Sequence, residues 1–389
     1  MPVINRIAEF HEEMKAWRQH LHANPELGYD CHETAAYVVE RLKEFGIDEI
    51  ETGIGQSGVV AVIQGTGNGP VIGLRADMDA LPIEEVRDLP YKSTRPGKMH
   101  ACGHDGHTTM LLGAAKYLAE TRNFSGSGAV IFLPAEEGGG GCLAMCQDGL
   151  MDRFGISEVY GIHNNPNADF GTFSTRPGPL MAAGDTFSIT VKGLGSHAAM
   201  PHLSGDPILV ACQIAQGLQM IAARNVDPLQ SAVISITTIH AGSTHNVIPE
   251  DAVMTGTVRT LDPEVRDLVE RRMGEVATSI ATAHNATAAF EYERGYPVTV
   301  NDPEAVAFSV EVAAGVAGAE RVVDNVAPMM GAEDFSYMLE ERKGAYLFLG
   351  SGGGAGLHHP EYDFNDEISP IGASFFVKIV ETAQPAAAN

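Results

Sequence analysis

The sequence predicts an α/β fold, a largely parallel sheet flanked by helices, with a ferredoxin-like α+β unit inserted into it. Three observations carry this reading. Short β-branched runs alternate with helix-spaced segments up to about residue 165, a β-α-β-β-α-β succession begins at Asp185, and the first pattern resumes at about Tyr296. At 389 residues the chain also exceeds one ordinary core. The expected boundaries are a discontinuous domain of residues 1–184 and 296–389 and an insert of residues 185–295.

Residues 1–22 and 32–45 place apolar side chains at helical spacing, and Asn24-Pro25 breaks the chain between them. Residues 59–63 and 71–74 are β-branched runs bounded by glycine or proline and read as strands. Residues 108–119 then read as a helix, 129–133 as a strand, 142–146 as a short helix and 158–162 as a strand. This alternation belongs to a sheet covered on both faces. In the insert, residues 187–191 alternate as a half-buried strand, 206–223 are helical, 232–239 and 252–259 are strands, 263–284 form a long helix, and 288–293 form a last strand. The Ala-rich end, residues 385–389, reads as frayed.

Charge and cysteine usage narrow the function classes. Twenty-five basic against 50 acidic side chains leave a net charge of −25, which repels nucleic acid and anionic membranes. Five cysteines, Cys31, Cys102, Cys142, Cys146 and Cys212, are an odd number at no framework-like spacing and suit a reducing compartment. The amphipathic, acid-containing start MPVINRIAEFHEEMKAW lacks the apolar core of a signal peptide, and no run of eighteen apolar residues exists. A cytoplasmic enzyme of small molecules is expected, with no nucleic-acid or membrane partner.

The chemistry concentrates at strand ends. Residues 100–108 hold His100, Cys102, His104, Asp105 and His107, a mixture of N, S and O donors that asks for Zn²⁺, Mn²⁺ or Co²⁺. His107 reads as continuing into the helix and packing. Glu136 and Glu137 follow an apolar strand, where two crowded carboxylates raise one another's pKa unless a cation lies nearby. One can ligate while the other serves as general base. The glycines at 138–141 let a helix begin there, and the Lys and Ser/Thr of a phosphate loop are missing. His163 ends a strand before Asn-Asn-Pro; of His358 and His359, one should ligate. Asp77 and Asp79 flank Met78 and can either ligate or orient ligands. Sheets of this kind place ligands at the carboxyl edge of the strands.

RADMDALP, MHACGHDGHTT, PAEEGGGG, GIH, GSHAAMP, NVIPE, GAEDF and LHHPEYDFNDE, in this order over nearly the whole chain, resemble the aminoacylase and hippurate hydrolase branch of the dinuclear metallopeptidases, which includes auxin-conjugate hydrolases. The resemblance implies a catalytic α/β domain with an inserted lid that dimerises. It implies two divalent ions per subunit, Zn or Mn with Co or Ni as alternatives, held by Cys102, His104, Glu137, His163 and His358, with Cys102 bridging and Glu136 as general base. In the insert it implies that His197 reaches a catalytic centre, often the partner subunit's, to polarise the scissile carbonyl. Asn246 and Arg259 match substrate-holding positions, Arg259 for a carboxylate, which a guanidinium fork suits. Two positions depart from the pattern: Asp77 stands where broader relatives have a ligand histidine, and His359 where a small or polar residue commonly follows the last ligand.

The implied reaction is hydrolysis of an N-acyl- or N-aroyl-amino acid to a carboxylic acid and a free amino acid, by a homodimer or dimer-based homo-oligomer. A metallo-dipeptidase or carboxypeptidase on the same site, and a non-catalytic metal- or ligand-binding protein, are the alternative readings.

Overall fold

The computed structural model describes residues 3–386 and divides into two compact units, one of Met1–Gly178, Val300–Ala327 and Asp334–Asn389, the other of Pro179–Thr299 and Pro328–Glu333. The chain runs α1 Asn5–Glu9, α2 His11–Ala23, α3 His32–Glu44, β1 Ile50–Ile54, β2 Gly58–Gln64, β3 Val71–Asp77, α4 His104–Thr121, β4 Ser127–Leu133, α5 Gly141–Gln147, α6 Leu150–Arg153, β5 Ile156–Asn165, β6 Phe173–Ser174 and β7 Gly178–Met181. It continues β8 Ala183–Lys192, β9 Ser196–His197, α7 Pro207–Arg224, β10 Ala232–Ala241, β11 Val247–Ile248, β12 Asp251–Thr260, α8 Pro263–Ala283, β13 Thr287–Arg294 and β14 Thr299–Asn301. The last elements are α9 Pro303–Ala317, β15 Val322–Val323, α10 Ser336–Glu341, β16 Lys343–Gly350 and α11 Ser369–Ala383.

The first unit holds an eight-stranded sheet in the order β1-β2-β4-β3-β5-β16-β6-β15. Its middle, β4-β3-β5-β16, is parallel. These strands are buried almost throughout, which is why β3 and β4 read as continuous apolar runs. The β1–β2 side is antiparallel because the two strands form a hairpin turned by Gly55 and Gln56, both at positive φ. In the parallel centre Asp77 pairs with Leu133, and Arg75 pairs with Gly161, so the ends of β3, β4 and β5 lie level.

Two local differences from the sequence reading have clear causes. The first helical segment is two helices, because the Phe10 N–H bonds to Ile7 O and tightens the chain between them. Helix α4 starts at His104, four residues before the apolar stretch, because Gly103 at φ 98° turns the chain into it. A side chain at Gly103 would place its Cβ 2.2 Å from Asn164 Oδ1. At the chain end, Pro385 bridges to Phe124; residues 387–389, expected to fray, lie outside the described residues.

The second unit has the sheet order β10-β12-β8-β13, antiparallel throughout, with an apolar core shared by the sheet, α7 and α8. This is the ferredoxin-like order, with the β9/β11 pair as an excursion. Buried Asp185 ties it together, accepting from Arg266 Nε at 2.9 Å, Tyr292 OH at 2.6 Å and Gly295 N–H at 3.0 Å. Residues 328–333 cluster with this unit although the sequence read them with the other domain; Ala182 N–H bonds to both Met329 O and Gly331 O.

Candidate metal centre

The carboxyl ends of β3, β4 and β5, the start of α4 and the segment after β16 bring the donors together. Cys102 Sγ lies 3.3 Å from His163 Nε2. His163 Nδ1 donates to Asn164 O at 2.7 Å, which leaves Nε2 as the free lone pair facing the thiol. His358 Nε2 lies 3.4 Å from Glu137 Oε1. The donor atoms form two triads that share one residue: Cys102, His104 and His163, and Cys102, Glu137 and His358, each with its atoms within 4.8 Å of one another. A third group, His104, Glu136 and Glu137, places Glu136 beside them.

The chemistry of the donor set fits two divalent cations. Both ring nitrogens of His104 and Oε1 of Glu137 are buried without a hydrogen-bond partner, although nearly all buried polar groups have one. Three carboxylates approach His104 Nε2, Asp77 at 3.7 Å, Glu137 at 3.9 Å and Glu136 at 4.0 Å, while Asp79 lies 3.4 Å from Nδ1 on the other side of the ring. Burial pushes the Cys102 thiol up, with His104 opposing it. Burial likewise drives His163 well below its ordinary range. His104 goes the other way: burial disfavours its charge, but Asp77 and Cys102 raise it. The neighbouring Cys102 sulfur and Glu137 carboxylate push His358 up to about 10.

Backbone geometry holds the carboxylates. Ala135, at φ 56°, makes the left-handed turn after β4, and its carbonyl accepts Gly139 and Gly141 N–H. The next two N–H groups, of Glu136 and Glu137, donate to Asp79 Oδ1 and Oδ2 at 3.0 and 3.1 Å. Asp79 is therefore a clamp on the Glu136–Glu137 turn. Asp77 accepts from Arg75 Nη1 and bonds His107 Nδ1, both at 2.6 Å, and with His104 and His107 it forms another close group of donors. His107 sits in α4 with Nε2 accepting Asn164 N–H at 3.0 Å, the packed role expected of it. His359 is spent locally, its Nδ1 accepting Glu361 N–H at 3.1 Å, so His358 is the member of that pair brought to Cys102 and Glu137.

The profile of peptidase family M20/M25/M40 matches residues 73–382. The chain belongs to this family. Among its relatives are a hippurate hydrolase of Campylobacter jejuni, 43% identical over 97% of this chain and 98% of that one, and an N-acetyl-L-cysteine deacetylase of Bacillus subtilis, 45% identical over 92% and 85%. Among solved structures, the YXEP protein of Bacillus subtilis, described as a dinuclear metal-binding peptidase of the M20 family, superposes with a TM-score of 0.85 at 35% identity over 97% of this M20-family chain and 99% of that one.

The remaining expected site residues lie in the second unit. His197 on β9 is exposed and pairs with Val247 of β11; Ala198 N–H donates to Asn246 O at 3.1 Å, so His197 and Asn246 lie side by side. Arg259 is half-buried near the far end of β12, its Nη1 donating to Val258 O at 3.0 Å. Sequence reading gave no individual role to Arg75 and Asp334, which stand in the motifs RADMDALP and GAEDF, and passed over Arg18 and His22. Arg75 is buried between Asp77 and Asp334, which accepts from Nη2 at 2.7 Å and takes Cys142 N–H at 2.8 Å. For Arg18 and His22 the signal was available: they fall four residues apart behind Met14 on the stripe that α2 buries.

Proposed function

We propose that this protein is a cytoplasmic metal-dependent amidohydrolase cleaving N-acyl- or N-aroyl-L-amino acids to a carboxylic acid and a free amino acid. The observation that carries this reading is the pair of triads sharing Cys102, with Glu136 beside them in a group with His104 and Glu137. That arrangement would let Cys102, His104, His163, Glu137 and His358 hold two ions, Zn²⁺ or Mn²⁺ with Co²⁺ or Ni²⁺ as substitutes, with the Glu136 carboxylate beside them for proton transfer. The relatives that hydrolyse hippurate or N-acetylcysteine support the blocked amino acid as substrate.

In this reading Cys102, His104, His163, Glu137 and His358 hold the ions. When bound, they supply Lewis-acid polarisation of the amide carbonyl and lower the pKa of a water toward neutrality. Glu136 takes the proton of the attacking water and returns it to the departing nitrogen. Asp79, by fixing two successive N–H groups, keeps Glu136 from swinging into a ligand's place. His197 donates to the carbonyl oxygen as charge develops on it, Arg259 receives the substrate carboxylate on its guanidinium fork, and Asn246 helps to hold the substrate.

Residues 185–295 serve as lid and dimerisation domain in this proposal. Within one chain, His197 and Asn246 adjoin the start of β12 and Arg259 lies near its other end, and the eight steps from Asp251 to Arg259 span about 26 Å. A single small substrate cannot bridge that length. A homodimer or dimer-based assembly solves it by supplying His197 from one subunit and Arg259 from the other. Among the described residues no helix is long and apolar enough to cross a membrane.

The test is a panel of acetyl-, benzoyl- and indole-acetyl-amino acids assayed with added Mn²⁺ or Zn²⁺ beside free-amine dipeptides. Release of amino acid from the blocked substrates is expected. Turnover of dipeptides alone would turn the reading to a metallo-dipeptidase, and turnover of neither to a binding protein.

A further inference from the structure

Helix α2 carries a buried cation that no step of hydrolysis uses. Arg18 has 0% exposed surface, and its fork donates from Nε and Nη2 to Asp366 Oδ1 and Oδ2 at 2.7 and 2.9 Å. Its third nitrogen, Nη1, is buried without a hydrogen bond, 3.5 Å from Asp363 and 3.7 Å from Asp105. The guanidinium also stacks 4.4 Å from the centre of the Tyr91 ring, whose hydroxyl donates to Asp363 at 3.0 Å. One cation therefore faces three carboxylates from two places in the chain.

Those two places carry the candidate ligands. Asp105 follows His104 in the first turn of α4, while Asp363 and Asp366 lie five and eight residues after His358. The two ligand segments are joined by the main-chain bond from His358 N–H to Ala101 O at 2.8 Å, and Tyr362 ties the His358 segment to β5, its hydroxyl accepting Asn164 Nδ2 at 2.7 Å. His358 is also the least enclosed donor: its side chain is 54% exposed, whereas His104 is fully buried, and its backbone sits at φ 62°, which a non-glycine residue holds only when its surroundings impose it. Packing cannot fix such a side chain, so the position of its segment must.

We propose that Arg18 is a positioning residue that clamps the His358 segment to the start of α4 and so sets the geometry of the Cys102–Glu137–His358 triad. The inference rests on the two-ion reading above. It follows that the two triads respond differently to loss of the clamp. Cys102, His104 and His163 are set by α4 and β5, whereas His358 depends on the fork to Asp366. A lysine at position 18 keeps the charge but not the two-pronged grip.

The test is metal binding by the full-length protein, stripped and then titrated with Co²⁺, read by calorimetry and by thiolate-to-cobalt absorption, for wild type, Arg18→Lys, Arg18→Met and Asp366→Asn. The wild type is expected to bind two ions per chain. In the variants one ion should bind with wild-type affinity and retain the thiolate band, while the other weakens by about 10- to 100-fold, the usual effect of losing a partner that orients a ligand. Arg18→Lys should rescue little. Asp366→Asn keeps the test intact if Arg18→Met does not fold. Two unchanged affinities with a lowered Tm would reduce Arg18 to a structural role, and equal weakening of both ions would overturn the selective clamp. A wild-type chain that binds fewer than two ions would instead overturn the two-ion reading, and the proposal with it.

Discussion

Asp79 Oδ1 accepts the Glu136 main-chain N–H at 3.0 Å, so a residue just past the end of one strand fixes the backbone that carries a carboxylate just past the end of its neighbour. The same carboxylate holds Glu137 through its second oxygen. Asp79→Asn leaves one acceptor and turns an NH₂ group toward an N–H donor. The variant should fold with near-wild-type secondary structure, bind metal about 10- to 100-fold more weakly and lose kcat more than it raises KM. Metal titration with steady-state kinetics checks this; unchanged affinity and kcat would remove the clamp.

Glu136 and Glu137 are adjacent yet should fail differently. Glu136→Gln removes the proton carrier and should lower kcat by at least about 10²-fold while both ions stay bound. Glu137→Gln should lose metal. Elemental analysis of the two purified variants, with their kcat values, separates the roles, and equal metal loss in both would reject the assignment.

His22 is buried and bridges Asp105, at 2.8 Å, and Glu85, at 3.3 Å. Burial opposes its charge, but these hydrogen bonds win and raise its pKa from 6.5 to about 9. Because the folded value exceeds the unfolded one, protonated His22 favours the fold. That contribution is complete below about pH 6.5 and is lost as pH climbs through about 9, and it amounts to about 3 kcal/mol. Thermal unfolding of the metal-stripped protein should show Tm falling across pH 7–9.5 by several degrees. His22→Gln should flatten that fall; a wild-type slope in the variant would place the titration elsewhere.

If His197 serves the partner's site, a Glu136→Gln chain and a His197→Ala chain, each nearly inactive alone, should regain activity when mixed and allowed to exchange. One intact site per heterodimer should restore up to about a quarter of wild-type activity, since half the chains pair unlike and each such dimer has one working site of two. Exchange verified by mass with no recovery would place His197 in its own chain's site or in none.

Local sequence was enough for much of this protein. The continuous apolar runs of β3 and β4 declare a sheet covered on both faces, and the β-α-β-β-α-β order of the insert is local information, because each element's face is written in its own periodicity. The donor types at 102, 104, 136, 137, 163 and 358 were likewise legible, since thiol, imidazole and paired carboxylates at strand ends are costly without a cation. Tertiary structure decided their arrangement. It decided that Asp77 bonds Arg75 and His107, that His359 caps its own turn while His358 lies beside Glu137, and that residues 328–333 join the second unit. It also assembled Arg18, His22, Glu85, Asp105 and Asp366 from distant parts of the chain into one buried charge cluster. Such pairings depend on which segments fold against one another across up to 348 residues of sequence, and no local pattern encodes that partner choice.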